Sequence, residues 1–228
     1  MSIVTAKHFW DWFQLKNNES HIVDCKTKEE SSKWFRELCN HLQLYYDADF
    51  RPLLITIEEL GKAAIIFTAE GEHNYFNKIE ELVQTAPQLE RWRFVALMPP
   101  MPPNATLEKD FPSIDLEPDE LFFAPDYLEP VDGRYNLQVF VKEETGINAD
   151  EMLCGFAAQI VYNVLGEKTT GLNINEIRVS YLDDVPIEIR YTVVPLPQLP
   201  QYLPIEILTS YTINDQGELT QKPWVVNK

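Results

Sequence analysis

The chain has 228 residues, with 36 Asp and Glu against 19 Lys and Arg, and a formal net charge of −17. A negative field of this size repels phosphate backbones, so we expect no nucleic-acid binding. At 45% hydrophobic residues, a chain of this length buries enough apolar surface to fold without disulfides or a structural metal.

The compartment follows from what the sequence lacks. No apolar segment is long enough to cross a bilayer, and the start MSIVTAKHFWDWF has no apolar core of a signal peptide. The three cysteines, Cys25, Cys39 and Cys154, are odd in number and show no CxxC spacing, which is typical of reduced thiols. We therefore predict a cytoplasmic protein that does not associate with membranes.

Helical periodicity in the first half predicts helices over residues 5–16, 28–45 and 73–86. Thr5 is a candidate N-cap, and Thr27 followed by Glu30 has the spacing of a capping box, while Pro87 ends the third helix. Extended patterns predict strands over 51–59, 62–68 and 92–98, the first two joined as a hairpin around Leu60-Gly61.

The second half begins with residues 99–119, which contain six prolines and no regular period. They predict a stiff Pro-rich crossing. One helix is predicted over 149–165, with Gly166 as its C-cap. Proline density over 195–204 excludes a regular central strand there. Strands are predicted near 120–125, 135–142, 176–182, 187–194 and 205–213.

Each half therefore runs strand, strand, helix, strand, and each strand–helix–strand step is long enough for a parallel crossover. This order predicts an α+β fold: mixed β-sheets with packed helices, in two ββαβ-like lobes joined by the Pro-rich crossing. We expect a single globular domain over 1–228, with an N-terminal lobe at 1–98, the crossing at 99–119 and a C-terminal lobe at 120–228. The pattern predicts no oligomeric state.

Signatures of catalysis, metal binding and cofactor binding are absent from the sequence. The histidines have no metal-ligand spacing, and there is no GxSxG or GxGxxG. We therefore predict no catalytic, metal or cofactor residue, and no enzyme. An alternative is a carboxylate-dependent hydrolase or transferase that uses Asp47, Asp49 or Glu70 in a cleft between the lobes. A small-ligand sensor is a third possibility, since fold alone does not decide function.

The stretch from Asp110 to Asp132 carries eight acidic residues and no Lys or Arg. Aromatic residues are interleaved with the acids, which suits a surface where charges steer a basic protein and aromatics anchor it. We predict a non-enzymatic interaction module, of which an immunity-like protein that covers a toxin's basic site is one version. The predicted partner-binding residues are Asp115, Glu117, Asp119, Glu120, Phe122, Phe123 and Tyr127.

Two parts of the sequence carry a resemblance. FWDWF at Phe9–Phe13, and the pattern FTAEG…IEELV..AP..ERWRFVALMPP between Phe67 and Pro100, are similar to an uncharacterised family of bacterial proteins. That family has an FWxWF-type start and a strand–TAxG–helix–AP–W–strand core. The resemblance covers about the first hundred residues and implies a bacterial α+β protein. It implies no activity and no site residue.

Overall fold

The computed structural model describes residues 5–19, 22–45, 51–57, 62–142, 149–203, 209–213 and 219–223. The chain has helices and strands in mixed sheets and is an α+β protein, as predicted. It divides into two compact units, Met1–Met98 (unit 1) and Pro99–Lys228 (unit 2). Among the described residues, no helix is long and apolar enough to span a membrane.

Unit 1 has three helices and three strands among its described residues. The sheet has the order β1-β2-β3, with β1 antiparallel and β3 parallel to the central strand β2. The predicted parallel crossover through the third helix is therefore present. The elements are α1 (Ala6–Glu19), α2 (Lys28–Tyr45), β1 (Arg51–Ile57), β2 (Lys62–Thr68), α3 (Phe76–Gln84) and β3 (Trp92–Ala96).

The hairpin turn predicted at Leu60-Gly61 lies outside the described residues. Residues 73–75, predicted as the start of the third helix, form a 3₁₀ turn ahead of α3. The Thr27–Glu30 pattern is half confirmed. The Glu30 backbone N–H donates to Thr27 Oγ1 at 3.2 Å, but the Glu30 carboxylate accepts from the N–H of Lys26 at 2.8 Å.

Aromatic side chains fill the core of unit 1. The Trp34 and Trp92 rings stack with centroids 5.3 Å apart, and Phe13 packs edge-on against both. Trp10 lies off the main stripe of α1, yet it is buried against Phe67 and Phe94, and its indole N–H donates to the carbonyl of Leu82 on α3 at 2.8 Å. This bond satisfies the one polar group of the ring inside the core.

Unit 2 is built on one five-stranded sheet. Its central strand β6 pairs with β7 in parallel, and with β4 and β5 in antiparallel fashion. Strands β9 and β10 pair with each other. The elements are α4 (Leu107–Asp110), β4 (Leu121–Phe123), β5 (Glu129–Val131), β6 (Arg134–Val141), α5 (Ala149–Asn173), β7 (Ile174–Tyr181), α6 (Ile187–Arg190), β8 (Val194–Pro195), β9 (Thr209–Ile213) and β10 (Leu219–Pro223).

The helix predicted over 149–165 extends to Asn173 as α5. Gly166 interrupts it with φ 72° and ψ 167°, a backbone conformation that is almost confined to glycine. The glycine therefore ends a first helical segment, as predicted, but a second segment follows directly. In this second segment, the side-chain amide of Asn173 donates to the carbonyl of Thr169, and the hydroxyl of Thr170 donates to the carbonyl of Gly166.

The strand predicted over 187–194 is wrong. Residues 187–190 form the short helix α6, and only Val194–Pro195 is extended. The guanidinium of Arg190 donates to the Asp183 carboxylate and to the Val185 carbonyl, which closes this segment on itself. Strands β5 and β10, each paired in a hairpin, were not predicted.

The Pro-rich crossing belongs to unit 2 and lies on α5, where one buried amide holds it. Asn163 has no exposed surface, and its Nδ2 donates to the carbonyls of Pro103 and Ala105 at 3.0 and 2.8 Å. The backbone N–H of Met101 donates to the Asn163 carbonyl. Because proline cannot donate a backbone hydrogen bond, the crossing has few donors of its own for its carbonyl groups. The side chain of Asn163 supplies donors for two of these carbonyls.

Candidate functional site

The predicted acidic surface forms one segment, from Asp115 to Tyr127, which we call the acidic segment. The side chains of Asp115, Glu117, Asp119 and Glu120 are all exposed. The apolar residues between them point the other way: Leu116 packs against the core of unit 2, and Pro118 and Leu121 are buried. Alternation along the segment therefore directs the carboxylates outward.

The middle of the acidic segment is a 3₁₀ turn, Pro118–Glu120. The backbone N–H of Glu117 donates to Glu120 Oε2 at 2.7 Å. Proline at the first position of the turn has its φ angle fixed by its ring. The turn thus presents its acids from a restrained backbone rather than from a loose linker, which lowers the entropy that a partner has to remove.

The four exposed carboxylates of the acidic segment have no ion-pair partner among the described residues. Within the part of the chain that the structure describes, no Lys or Arg forms an ion pair with Asp115, Glu117, Asp119 or Glu120. Arg178 and Arg190 pair instead with Glu176 and Asp183. The net charge is also distributed unevenly between the two units. Residues 1–98 have 11 Lys and Arg against 15 Asp and Glu, a net −4, and residues 99–228 have 8 against 21, a net −13.

The aromatic residues of the acidic segment differ in exposure. Tyr127 is 50% exposed and available to a partner. Phe123 is fully buried, because alternate residues of β4 face opposite sides of the sheet and Leu121 and Phe123 both face the core under α5. Phe123 was predicted as a contact residue, and we withdraw it. Phe122 faces the other side, half-buried against Phe140 and Ile189.

Of the three carboxylates of the enzyme alternative, the structure describes only Glu70. Asp47 and Asp49 lie outside the described residues. Glu70 is exposed on the turn after β2 with φ 51°, where its backbone N–H donates to Thr68 Oγ1 at 3.0 Å. A threonine side chain that accepts from the backbone two residues later is typical of a tight turn. Among the described residues, no group of three His, Cys, Asp or Glu is arranged to hold a metal ion.

A pocket in unit 1 was not predicted. It has a volume of about 750 Å³ and lies between the end of α1, the first turns of α2 and the loop before β3; we call it the α1–α2 pocket. Sequence reasoning missed it because its walls come from positions that are far apart in the chain. They include Lys16, Asn17, Asp24, Cys25, Lys26, Glu30, Lys33, Trp34, Leu89, Glu90 and Arg91.

Two ion pairs brace this pocket. The guanidinium of Arg91 donates to both carboxylate oxygens of Asp24, each at 2.8 Å, and this bond raises the pKa of Arg91. Lys16 Nζ lies 2.6 Å from Glu37 Oε2, and its hydrogen bond lowers the pKa of the Glu37 carboxyl. The first pair joins the loop before β3 to the 3₁₀ turn at Ile22–Asp24, and the second joins α1 to α2.

Cys25 contributes a half-buried thiol, outside any disulfide, to the pocket wall. Burial raises the pKa of this thiol, and the negative charges of Glu30 and Asp24 raise it further, against an opposing effect of Lys16. The thiolate is the nucleophilic form of cysteine, and these surroundings disfavour it. The position is therefore unlike that of a catalytic cysteine.

Comparison with protein-family models, with curated proteins and with solved structures gives no match for the chain. The resemblance described from the sequence thus stays a prediction, and the function has to be argued from the residues themselves.

Proposed function

We propose that the protein is a non-enzymatic interaction module that presents its acidic segment to a basic protein partner. The observation that carries the proposal is the set of four exposed carboxylates at Asp115, Glu117, Asp119 and Glu120. None of them forms an ion pair with a described Lys or Arg, and their backbone is anchored in the core of unit 2. Such a surface speeds association with a positively charged protein and disfavours acidic competitors.

Exposed Tyr127 completes the proposed surface, because tyrosine supplies contact area at a small cost in side-chain entropy. Half-buried Phe122 supports the segment from the opposite face of β4. A finer version of the proposal is an immunity-like role, in which this surface covers a toxin's basic site. We propose that the protein acts in the bacterial cytoplasm, which rests on the sequence composition and on the resemblance alone.

A charge-reversal pair tests the proposal. Asp115→Lys with Asp119→Lys changes the charge of the acidic segment by four, and neither side chain forms a hydrogen bond that the turn needs. The matched control, Asp184→Lys with Glu188→Lys, makes the same change at two exposed carboxylates elsewhere in unit 2. Native lysate of the source cell is passed over each tagged protein, and captured proteins are quantified by mass spectrometry.

We expect a basic protein that the wild type and the D184K/E188K control capture and that D115K/D119K loses. Its binding should weaken as salt is raised, because exposed charges are screened. The melting temperature should stay within about 2 °C of wild type, as for surface changes away from packed features. The proposal is contradicted if all three proteins capture the same set, or if only acidic proteins are captured.

A further inference from the structure

We infer that the α1–α2 pocket binds a small ligand through a carboxylate or phosphate oxyanion. The inference does not depend on the acidic segment, which belongs to the other unit. A volume of about 750 Å³ lies within the range of small-molecule sites, about 300–1,000 Å³. Leu89 and the edge of Trp34 give the pocket an apolar side, so the ligand has an uncharged part as well as a charged one.

Hydrogen bonding at Asn17 leaves donors for a ligand. The indole of Trp92 can only donate, and its Nε1 lies 2.6 Å from the side-chain oxygen of Asn17. That bond fixes which end of the amide is the oxygen. The Asn17 Nδ2 group then keeps its two donors, and no acceptor in the part of the chain that the structure describes bonds to it. A ligand in this pocket is therefore met by donors that need acceptors.

Two of the carboxylates on the pocket wall accept hydrogen bonds within unit 1. Both oxygens of Asp24 accept from Arg91, and Glu30 Oε2 accepts from the backbone N–H of Lys26. The amines of Lys26 and Lys33 are exposed and form no ion pair among the described residues. Charged groups on the wall number four cations against three carboxylates: Lys16, Lys26, Lys33 and Arg91 against Asp24, Glu30 and Glu90.

This balance is unusual for a chain of net charge −17. At this pocket, by contrast, Lys26 and Lys33 offer two ammonium groups with no ion pair among the described residues, and Asn17 at the end of α1 offers an oriented amide. Glu90 belongs to the loop before β3 rather than to α1 or the start of α2, so we place the oxyanion between Lys26, Lys33 and Asn17. Amine and amide donors of this kind suit carboxylate and phosphate oxygens equally, because both accept charge-assisted hydrogen bonds.

Cys25 provides a reporter within the pocket, since the other two cysteines do not line it. The full chain is alkylated at mildly alkaline pH, where the raised pKa of Cys25 still allows reaction, and the rate is followed by mass spectrometry of the Cys25 peptide. Sodium phosphate and sodium citrate are compared with sodium chloride at equal ionic strength. For a Kd of about 1 mM, about 20 mM anion slows alkylation about twentyfold if the occupied site excludes the reagent.

Three variants locate the binding. Lys26→Gln with Lys33→Gln removes the two amines, and Asn17→Asp keeps an oxygen for Trp92 but replaces the donor group with a carboxylate oxygen. The matched control, Lys28→Gln with Arg36→Gln, removes two exposed cations of α2 that do not line the pocket. Circular dichroism melts show whether each variant is folded. If only one of K26Q/K33Q and N17D folds, that variant alone is enough for the test.

We expect phosphate or citrate to slow Cys25 alkylation at least fivefold in the wild type and in K28Q/R36Q, and less than twofold in K26Q/K33Q and N17D. The anion with the larger effect distinguishes a phosphate ligand from a carboxylate ligand. Absence of protection by both anions in the wild type overturns the inference. Protection of equal size in K26Q/K33Q and in the wild type overturns it as well, because the anion would then bind elsewhere.

Discussion

Units 1 and 2 follow a similar order of strands and helix, yet their surfaces and cores use different chemistry. Unit 1 is nearly balanced in charge, closes its surface with ion pairs between elements, and packs stacked indole rings inside. Unit 2 carries most of the net negative charge, and among its described residues no Lys or Arg forms an ion pair with the four exposed carboxylates of the acidic segment. It holds a proline run against a helix through one buried amide. A common order of elements therefore leaves both the surface charge and the means of stabilisation undecided.

The largest expected effect is in the core of unit 1. Trp34 is 3% exposed and stacks on Trp92, so Trp34→Ala removes a large buried ring and should lower the free energy of unfolding by about 3–5 kcal/mol. Urea unfolding followed by tryptophan fluorescence measures it, since four of the five tryptophans belong to unit 1. Trp12→Ala, at a half-buried position, should cost less. An effect of Trp34→Ala below about 1 kcal/mol would show that the stack contributes little.

Unit 2 should respond to the loss of one amide. Asn163→Ala removes the donors to Pro103 and Ala105 and leaves two carbonyls unsatisfied, which should cost about 2–4 kcal/mol. Amide hydrogen exchange should accelerate in the crossing, at Ala105 and Leu107, before it does so in unit 1. Gln159→Ala serves as control, because Gln159 donates only to the Asn163 side chain at 2.9 Å and should cost less than half as much. Equal effects of the two changes would argue against the role given to Asn163.

The smallest expected effect is a pH dependence located in unit 1. The His41 ring stacks on Trp12 with centroids 3.8 Å apart, and burial lowers the pKa of His41 below its ordinary value of 6.5, against an opposing effect of Glu37. The folded state thus prefers neutral histidine. Its contribution to stability is full above pH 6.5 and is lost as pH falls through the lowered pKa of the folded state, because the unfolded chain takes up the proton first.

His41→Gln should therefore flatten the decline of the urea midpoint below pH 6.5, and the wild type should show the steeper decline. Titrations at several pH values from neutral to mildly acidic give the two curves. Parallel curves for wild type and H41Q would mean that other groups produce the decline.

Local signals in the sequence predicted what local physics determines. Helix α2 spans 28–45 as predicted, since Thr27 directly before it accepts from the N–H of Glu30 and its apolar stripe lies within the segment. The parallel pairing of β2 with β3 and of β6 with β7 followed from the length of each crossover. The exposure of the four carboxylates in the acidic segment is likewise what an acidic stretch with alternating apolar residues favours.

Tertiary contacts determined the rest. The alternation from Ile187 to Tyr191 suits a strand as well as a helical turn. The hydrogen bonds of Arg190 to Asp183 and Val185 stabilise the helical turn α6. The face of Phe123 depends on where β4 starts, since a shift of one residue exchanges Phe122 and Phe123 between core and surface. The α1–α2 pocket has no signal in the sequence, because residues 16–34 and 89–91 meet only in the folded unit.

Gly166 has a consequence for how the sheet of unit 2 is completed. The short helical segment after it leads without a loop into β7, whose first residue, Ile174, pairs with Tyr135 of β6. The backbone conformation of Gly166, at the joint between the two helical segments, therefore sets the point at which β7 enters the sheet. A residue with a side chain at position 166 would have to rotate the joint, and the misalignment would be passed on along the whole length of that strand.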